Sequence, residues 1–178
     1  MFAKTILLGL AKQNQEANAT VVKILDGEFS LSARQADRGS YYGSLEGLAK
    51  HLAGGTLHFL KIAEGSLTGD KTAEAILLAL NNVPAIDEKP LDVNGWENLK
   101  KALSIADETW VKLALALSDA QYDAPVKLQW YGGVTIALGA FLTMLSAHNI
   151  HHRGQLSQIF DSLAITNDYS GIKPRFFD

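Results

Sequence analysis

The chain has 178 residues, 47% hydrophobic and 20% charged, with 15 Gly and 4 Pro, a composition that excludes disordered and collagen-like chains. At roughly 100–200 residues per domain this is one domain, residues 1–178, around a single core. Sixteen Lys and Arg against 19 Asp and Glu, with no basic run, exclude the electrostatic footprint of sequence-independent nucleic-acid binding. The absence of cysteine excludes disulfides, thiolate metal sites and a cysteine nucleophile, so any thiol chemistry must take its thiol from outside.

No apolar stretch approaches the ~20 residues of a spanning helix, and no membrane is expected. Ile6-Leu7-Leu8-Gly9-Leu10-Ala11 after Lys4, with Ala17-Asn18-Ala19 beyond, loosely imitates a signal peptide, but its core ends at Lys12. It reads as the start of an amphipathic helix, and the cytoplasm is the expected compartment. Phe2, Ile6, Leu10, Ala17, Val21, Ile24 and Leu25 predict a first helix over 2–26, with Gly27 just past its end. The polar residues from Glu28 to Tyr42 read as a loop. Leu45, Leu48, Leu52, Phe59 and Ile62 predict a second helix over 43–64, ended by Gly65.

Ser66 to Val93, holding Pro84 and Pro90 around an apolar run at 75–80, reads as a crossover with one short helix. Trp96, Leu99, Leu103, Ala106, Trp110, Leu113 and Leu117 advance in steps of three and four, the seam of a third helix over 94–118. Pro125 to Trp130 and Val134 flank Tyr131-Gly132-Gly133, which predicts a small hairpin. Thr135 is then a fitting N-cap for a last helix over 135–164, striped by Leu138, Phe141, Leu145, His148, His152, Ile159 and Leu163. The expected fold is all-α: a four-helix bundle with long crossover connections, not simply up-and-down, and a small hairpin before the last helix.

All five histidines fall on predicted helices: His51 and His58 on the second, His148, His151 and His152 on the fourth. His148 and His152, four apart, share a face and lie on the apolar stripe. Burying two neutral imidazoles so close leaves ring nitrogens without partners, and burying them protonated sets like charges side by side. A divalent metal answers both problems. A single histidine on such a stripe is ordinarily a satisfied core residue, and that reading stays open for the pair. His51, flanked by Leu48, Leu52 and the small Gly54-Gly55, suits a third ligand better than His58, which reads as half-exposed or core. A di-iron site would need Glu three residues before His, where Leu48, Gly55, Leu145, His148 and Asn149 stand. The H-E-x-x-H motif fails because Asn149 occupies the Glu position.

The segment Ala147-His148-Asn149-Ile150-His151-His152-Arg153-Gly154-Gln155-Leu156 resembles the H-x-x-x-H-R-G-Q-L signature in the last helix of the DinB/YfiT-like family of metalloenzymes. Leu48-Ala49-Lys50-His51-Leu52 is similar to that family's second-helix segment, which carries its third histidine. The resemblance spans nearly the whole chain. It implies a four-helix bundle, usually homodimeric, holding one divalent ion on His51, His148 and His152, with His151 at a neighbouring, non-ligand position. Family activities include transfer of low-molecular-weight thiols to electrophiles, thiol-dependent isomerisation, and hydrolysis.

The expected function is therefore a metal-dependent transferase or hydrolase of a small-molecule substrate. Zn2+, or alternatively Ni2+, Fe2+ or Mn2+, would keep an open position for water, an external thiol or substrate. The alternative is a non-catalytic metal-binding or dimerisation bundle. Arg153 and Gln155 could orient a ligand or pair at the helix surface. Gln13, Asn14, Asn18, Tyr41 and Tyr42 could line the pocket, although ordinary helix-packing or loop contacts suit each of them better.

Overall fold

In a computed structural model, the described residues are 2–169, 171 and 173–176, without the side chains of Phe2 and Ala3; the Phe2 side chain of the expected first stripe thus lies outside the description. Four long helices dominate: α1 (Phe2–Glu28), α3 (Leu45–Ser66), α5 (Val93–Ala116) and α7 (Leu138–Ser162). Between them come three short helices, α2 (Leu31–Gln35), α4 (Lys71–Leu77) and α6 (Asp119–Tyr122), and the antiparallel hairpin β1 (Pro125–Leu128) and β2 (Val134–Ala137).

Side-chain caps start most of these helices. Ser44 accepts from Gly47 N ahead of α3, and Asp92 from Gly95 N ahead of α5, each satisfying an amide the helix cannot. The expected loop from Glu28 to Tyr42 contains α2, capped by Ser30. Thr135 is not the cap of α7. It belongs to β2, paired with Lys127, and the chain turns from strand to helix at Ala137 with no side-chain cap. Gly27 and Gly65 lie inside the last turns of α1 and α3 rather than beyond them.

Both α1 and α3 pack against α5 and α7, so α1 sits diagonal to α3 and α5 diagonal to α7. The α2 segment and the α6–hairpin segment make the diagonal crossings, which is why the connectivity is not up-and-down. The Trp96–Leu117 seam is buried throughout. The α1 stripe is offset from expectation: Ile6 is 36% exposed, while Leu7 and Ala11 are buried. The true stripe is Leu7, Ala11, Asn14, Asn18, Val21 and Leu25, and its two asparagines hide it from a scan for apolar residues. Leu163 is 42% exposed for a different reason, lying past the end of α7, where Leu156 and Phe160 complete the buried face.

The core is not single. One apolar cluster gathers Leu7, Leu60, Trp110, Leu113, Phe141 and Leu145; another gathers Leu25, Leu48, Leu52, Trp96, Leu99 and Phe160. Between them on the four long helices lie buried Asn14, Asn18, Thr56, Asp107, Asn149 and Arg153. Such a layer is tolerable only when its members satisfy one another, and they do. Asp107 accepts from Asn14 Nδ2 at 2.7 Å and Asn18 Nδ2 at 3.0 Å, and Arg153 donates to Asn14 and to Asn18 Oδ1.

Candidate metal centre

The histidines of the site emerge beside this polar layer. On α3, His51 is half-buried on the flank of the Leu48–Leu52 stripe; on α7, His148 is half-buried and His152 buried. One ligand nitrogen from each lies within 4.8 Å of the other two. The ring centroids are 4.9 Å apart for His51 and His148, 4.3 Å for His51 and His152, and 4.5 Å for His148 and His152.

Gly55 permits this approach, because a Cβ there would lie 2.5 Å from His148 Cε1. A second close approach sets the other wall. A Cβ at Gly47 would meet the Tyr42 carbonyl oxygen at 2.1 Å, so a side chain there would push Tyr42 away. Tyr42 instead stacks on His51 at 4.1 Å and meets His152 edge-on at 5.3 Å.

Hydrogen bonds aim the rings. His152 Nδ1 meets Gln155 Oε1 at 2.8 Å and His148 Nδ1 meets Asn149 Oδ1 at 3.2 Å. An amide oxygen can only accept, so each Nδ1 carries the proton and each Nε2 is left with a lone pair. His51 Nε2 lies 2.9 Å from His148 Nε2 and also 2.9 Å from the Tyr42 hydroxyl. One nitrogen bearing one proton or one lone pair cannot make a good bond to both, and a cation where the lone pairs converge removes the conflict. All three imidazoles are held neutral, the form a metal needs. Burial, followed by the neighbouring His152 and His148, brings His51 down to about 4. Burial is also the leading cause of the lowered values of His148 and His152. Burial raises the Tyr42 hydroxyl, with Tyr41 adding to it, so Tyr42 keeps its proton at neutral pH.

The other sequence candidates separate cleanly. His58 and His151 are exposed, His58 against Trp130 and His151 beside His152. Tyr41 is 92% exposed. Gln13, Asn14 and Asn18 face Arg153 rather than the histidines, and Arg153 is buried, not at the helix surface. Asn149, which in the sequence only breaks the H-E-x-x-H motif, turns its side chain onto the ring of its neighbour His148. A cleft of about 450 Å³ opens beside His148, lined by His58, Phe59, Trp130, Tyr131 and Met144. Among the described residues no acidic or basic side chain other than histidine lines it, and the hairpin supplies its exposed rings.

A four-helix bundle that brings three neutral imidazoles together from its second and fourth long helices defines the class: a helical protein with a site fitted to a divalent metal. The DinB family model matches residues 1–164, and the chain belongs to the DinB family. No curated protein matches the chain. Among the described residues no helix is long and apolar enough to cross a membrane.

Proposed function

We propose that this protein is a metal-dependent enzyme acting on a small, uncharged electrophile, either transferring an external low-molecular-weight thiol to it or hydrolysing it. The observation that carries this reading is the convergence of His51, His148 and His152 beside an open cleft. A divalent ion, Zn2+ by preference for this donor set and otherwise Ni2+, Fe2+ or Mn2+, would supply the positive charge that brings the pKa of a water or thiol toward neutrality. The chain's own residues do the rest. Gln155 and Asn149 hold the His152 and His148 rings in orientation, and the Tyr42 hydroxyl stands at the edge of the site as a proton-bearing donor. Phe59, Trp130 and Tyr131 offer a flat, uncharged substrate a wall of rings and exclude water from its face. The homodimer implied by the family resemblance and a cytoplasmic location belong to the same proposal.

Metal quantification on untagged protein and single variants tests it. His51→Ala, His148→Ala and His152→Ala should each lose most Zn2+, whereas His58→Ala and His151→Ala should keep it. Equal loss in all five, or full retention in His148→Ala, would overturn the assignment.

A further inference from the structure

The buried polar layer touches the metal centre at one point, Asn149. Its orientation can be worked out from groups that have no choice of role. Arg153 can only donate, and its guanidinium points at the side-chain oxygens of Asn14 and Asn18. The Asn14 amide is therefore turned with Oδ1 toward Arg153 and Nδ2 toward Asp107 Oδ1, at 2.7 Å. This orientation holds whichever protonation state Asp107 adopts, because the guanidinium alone demands it.

The Asn14 oxygen is then an acceptor, and Asn149 Nδ2 donates to it at 3.0 Å. Thr56 fits the same orientation: its hydroxyl proton goes to the nearer Leu52 carbonyl, at 2.9 Å, rather than to Asn149 Oδ1, at 3.5 Å, and its oxygen accepts from Asn149 Nδ2 at 3.1 Å. With both nitrogen-side contacts made, only Oδ1 of Asn149 faces His148 Nδ1, at 3.2 Å. Asn149 is fully buried, and no solvent can substitute for a partner it loses.

We propose that Asn149 is the positioning residue of the site: its amide, polarised by Arg153 and Asp107 through Asn14 and by Thr56, fixes the proton of His148 on Nδ1 and presents the Nε2 lone pair to the other two histidines. Outer-shell hydrogen bonds of this kind fix the tautomer of a ligating histidine. Here the polarity originates beyond Asn14, in Arg153 and Asp107, whose side chains bond to Asn14 and Asn18 rather than to the histidines. The metal arm of the test below rests on the proposed metal site; the tautomer arm does not.

The first measurement needs no variant. Long-range proton–nitrogen correlation spectra of metal-free, histidine-labelled protein at pH ~8, above the ordinary histidine pKa of ~6.5, distinguish the two neutral tautomers. His148 should carry its proton on Nδ1, and a dominant Nε2–H form would overturn the proposal. In Asn149→Leu that preference should be lost and Zn2+ affinity should fall by about 10- to 100-fold. Asn149→Asp keeps the acceptor for His148 Nδ1 but gives up the donor to Asn14 and Thr56, so it should restore the Nδ1–H tautomer and recover part of the Zn2+ affinity; a tautomer as mixed as that of Asn149→Leu would refute the assigned role. Asn14→Leu should weaken Zn2+ binding in the native background but not in Asn149→Asp, whose carboxylate accepts whichever way it turns. The same loss in both backgrounds would mean that Asn14 acts only on stability and would break the relay. If Zn2+ fails to bind the wild-type protein, the metal-site reading falls, while the tautomer of His148 still decides the role of Asn149.

Discussion

Gly54 and Gly55 are adjacent in the middle of α3, yet they should respond in opposite ways to the same added methyl group. Replacing either by Ala removes backbone freedom from the unfolded chain and adds a better helix former, a gain of up to ~1 kcal/mol. At Gly54 nothing lies within 4 Å of the new Cβ, so Gly54→Ala should realise that gain, a rise in Tm of about 2–4 °C for a full ~1 kcal/mol at this chain length. At Gly55 the new Cβ falls 2.5 Å from His148 Cε1, 3.2 Å from Nε2 and 3.3 Å from Nδ1. Restoring ordinary carbon contact near ~3.5 Å moves the ring by about 1 Å, several times the ~0.2 Å tolerance of a metal–ligand distance. Turning the ring off its rotamer costs about 0.5–1.5 kcal/mol, which cancels the helix gain. Gly55→Ala should thus leave thermal stability of the metal-free protein within about 1 kcal/mol of wild type while weakening Zn2+ at least ~10-fold, as disturbed ligand orientation does elsewhere. Calorimetry and Zn2+ titration against a chromophoric chelator read the two effects separately. Gly55→Ala that binds Zn2+ like wild type and gains the same stability as Gly54→Ala would refute the reasoning.

Acid should act through the three histidines. Their folded-state pKa values lie below the unfolded ~6.5, with His51 near 4, so the unfolded chain binds more protons between these limits. Their contribution to stability is present above pH ~6.5 and is lost as pH falls toward 4. Asp107, raised by burial to about 7 against the pull of Asn18, Arg153 and Asn14, works in the opposite sense, which makes a comparison necessary. The urea midpoint of the metal-free wild type should fall more between pH 6.5 and 4 than that of His51→Gln; a parallel decline would contradict the assignment. Glu46, buried at the start of α3, accepts from Leu91 N at 3.1 Å and Gln35 Nε2 at 2.9 Å and pairs with Lys50. Glu46→Ala leaves the buried Leu91 amide without its partner, although Gln35 keeps the Leu91 carbonyl and Lys50 the Glu88 and Lys89 carbonyls, and should cost about 1–3 kcal/mol in urea denaturation, whereas an unchanged midpoint would mean the segment before α5 is held by other contacts. Trp110→Ala, which empties a fully buried site, should cost about 3–5 kcal/mol, and a loss below 1 kcal/mol would be inconsistent with the packing described. Sedimentation at micromolar concentration should give twice the 19.3 kDa chain mass, and a monomer would remove the homodimer from the proposal.

The long helices were legible because an amphipathic helix repeats every 3.6 residues, and the Trp96–Leu117 seam shows that repeat without interruption. The pairing of His148 with His152 was equally local, since one turn of helix places i and i+4 on one face whatever surrounds them. Where a buried stripe carries polar residues, periodicity in apolar residues loses it, as Asn14 and Asn18 show for α1. Their burial depends on partners 89 to 139 residues away in sequence, Asp107 and Arg153 among them. Such pairing leaves no local trace.

The diagonal placement of α1 and α3, the stacking of Tyr42 on His51, and the exposure of His58 beside the hairpin were likewise decided by tertiary packing. The flanking small residues and the family signature pointed to His51 as the third candidate ligand, and the fold brings it to the pair: Gly55 lets His148 approach α3 until its Nε2 reaches that of His51. Sequence spacing sets angles around one helix axis; which nitrogen of which ring faces its neighbour depends on contacts that exist only once the helices have packed.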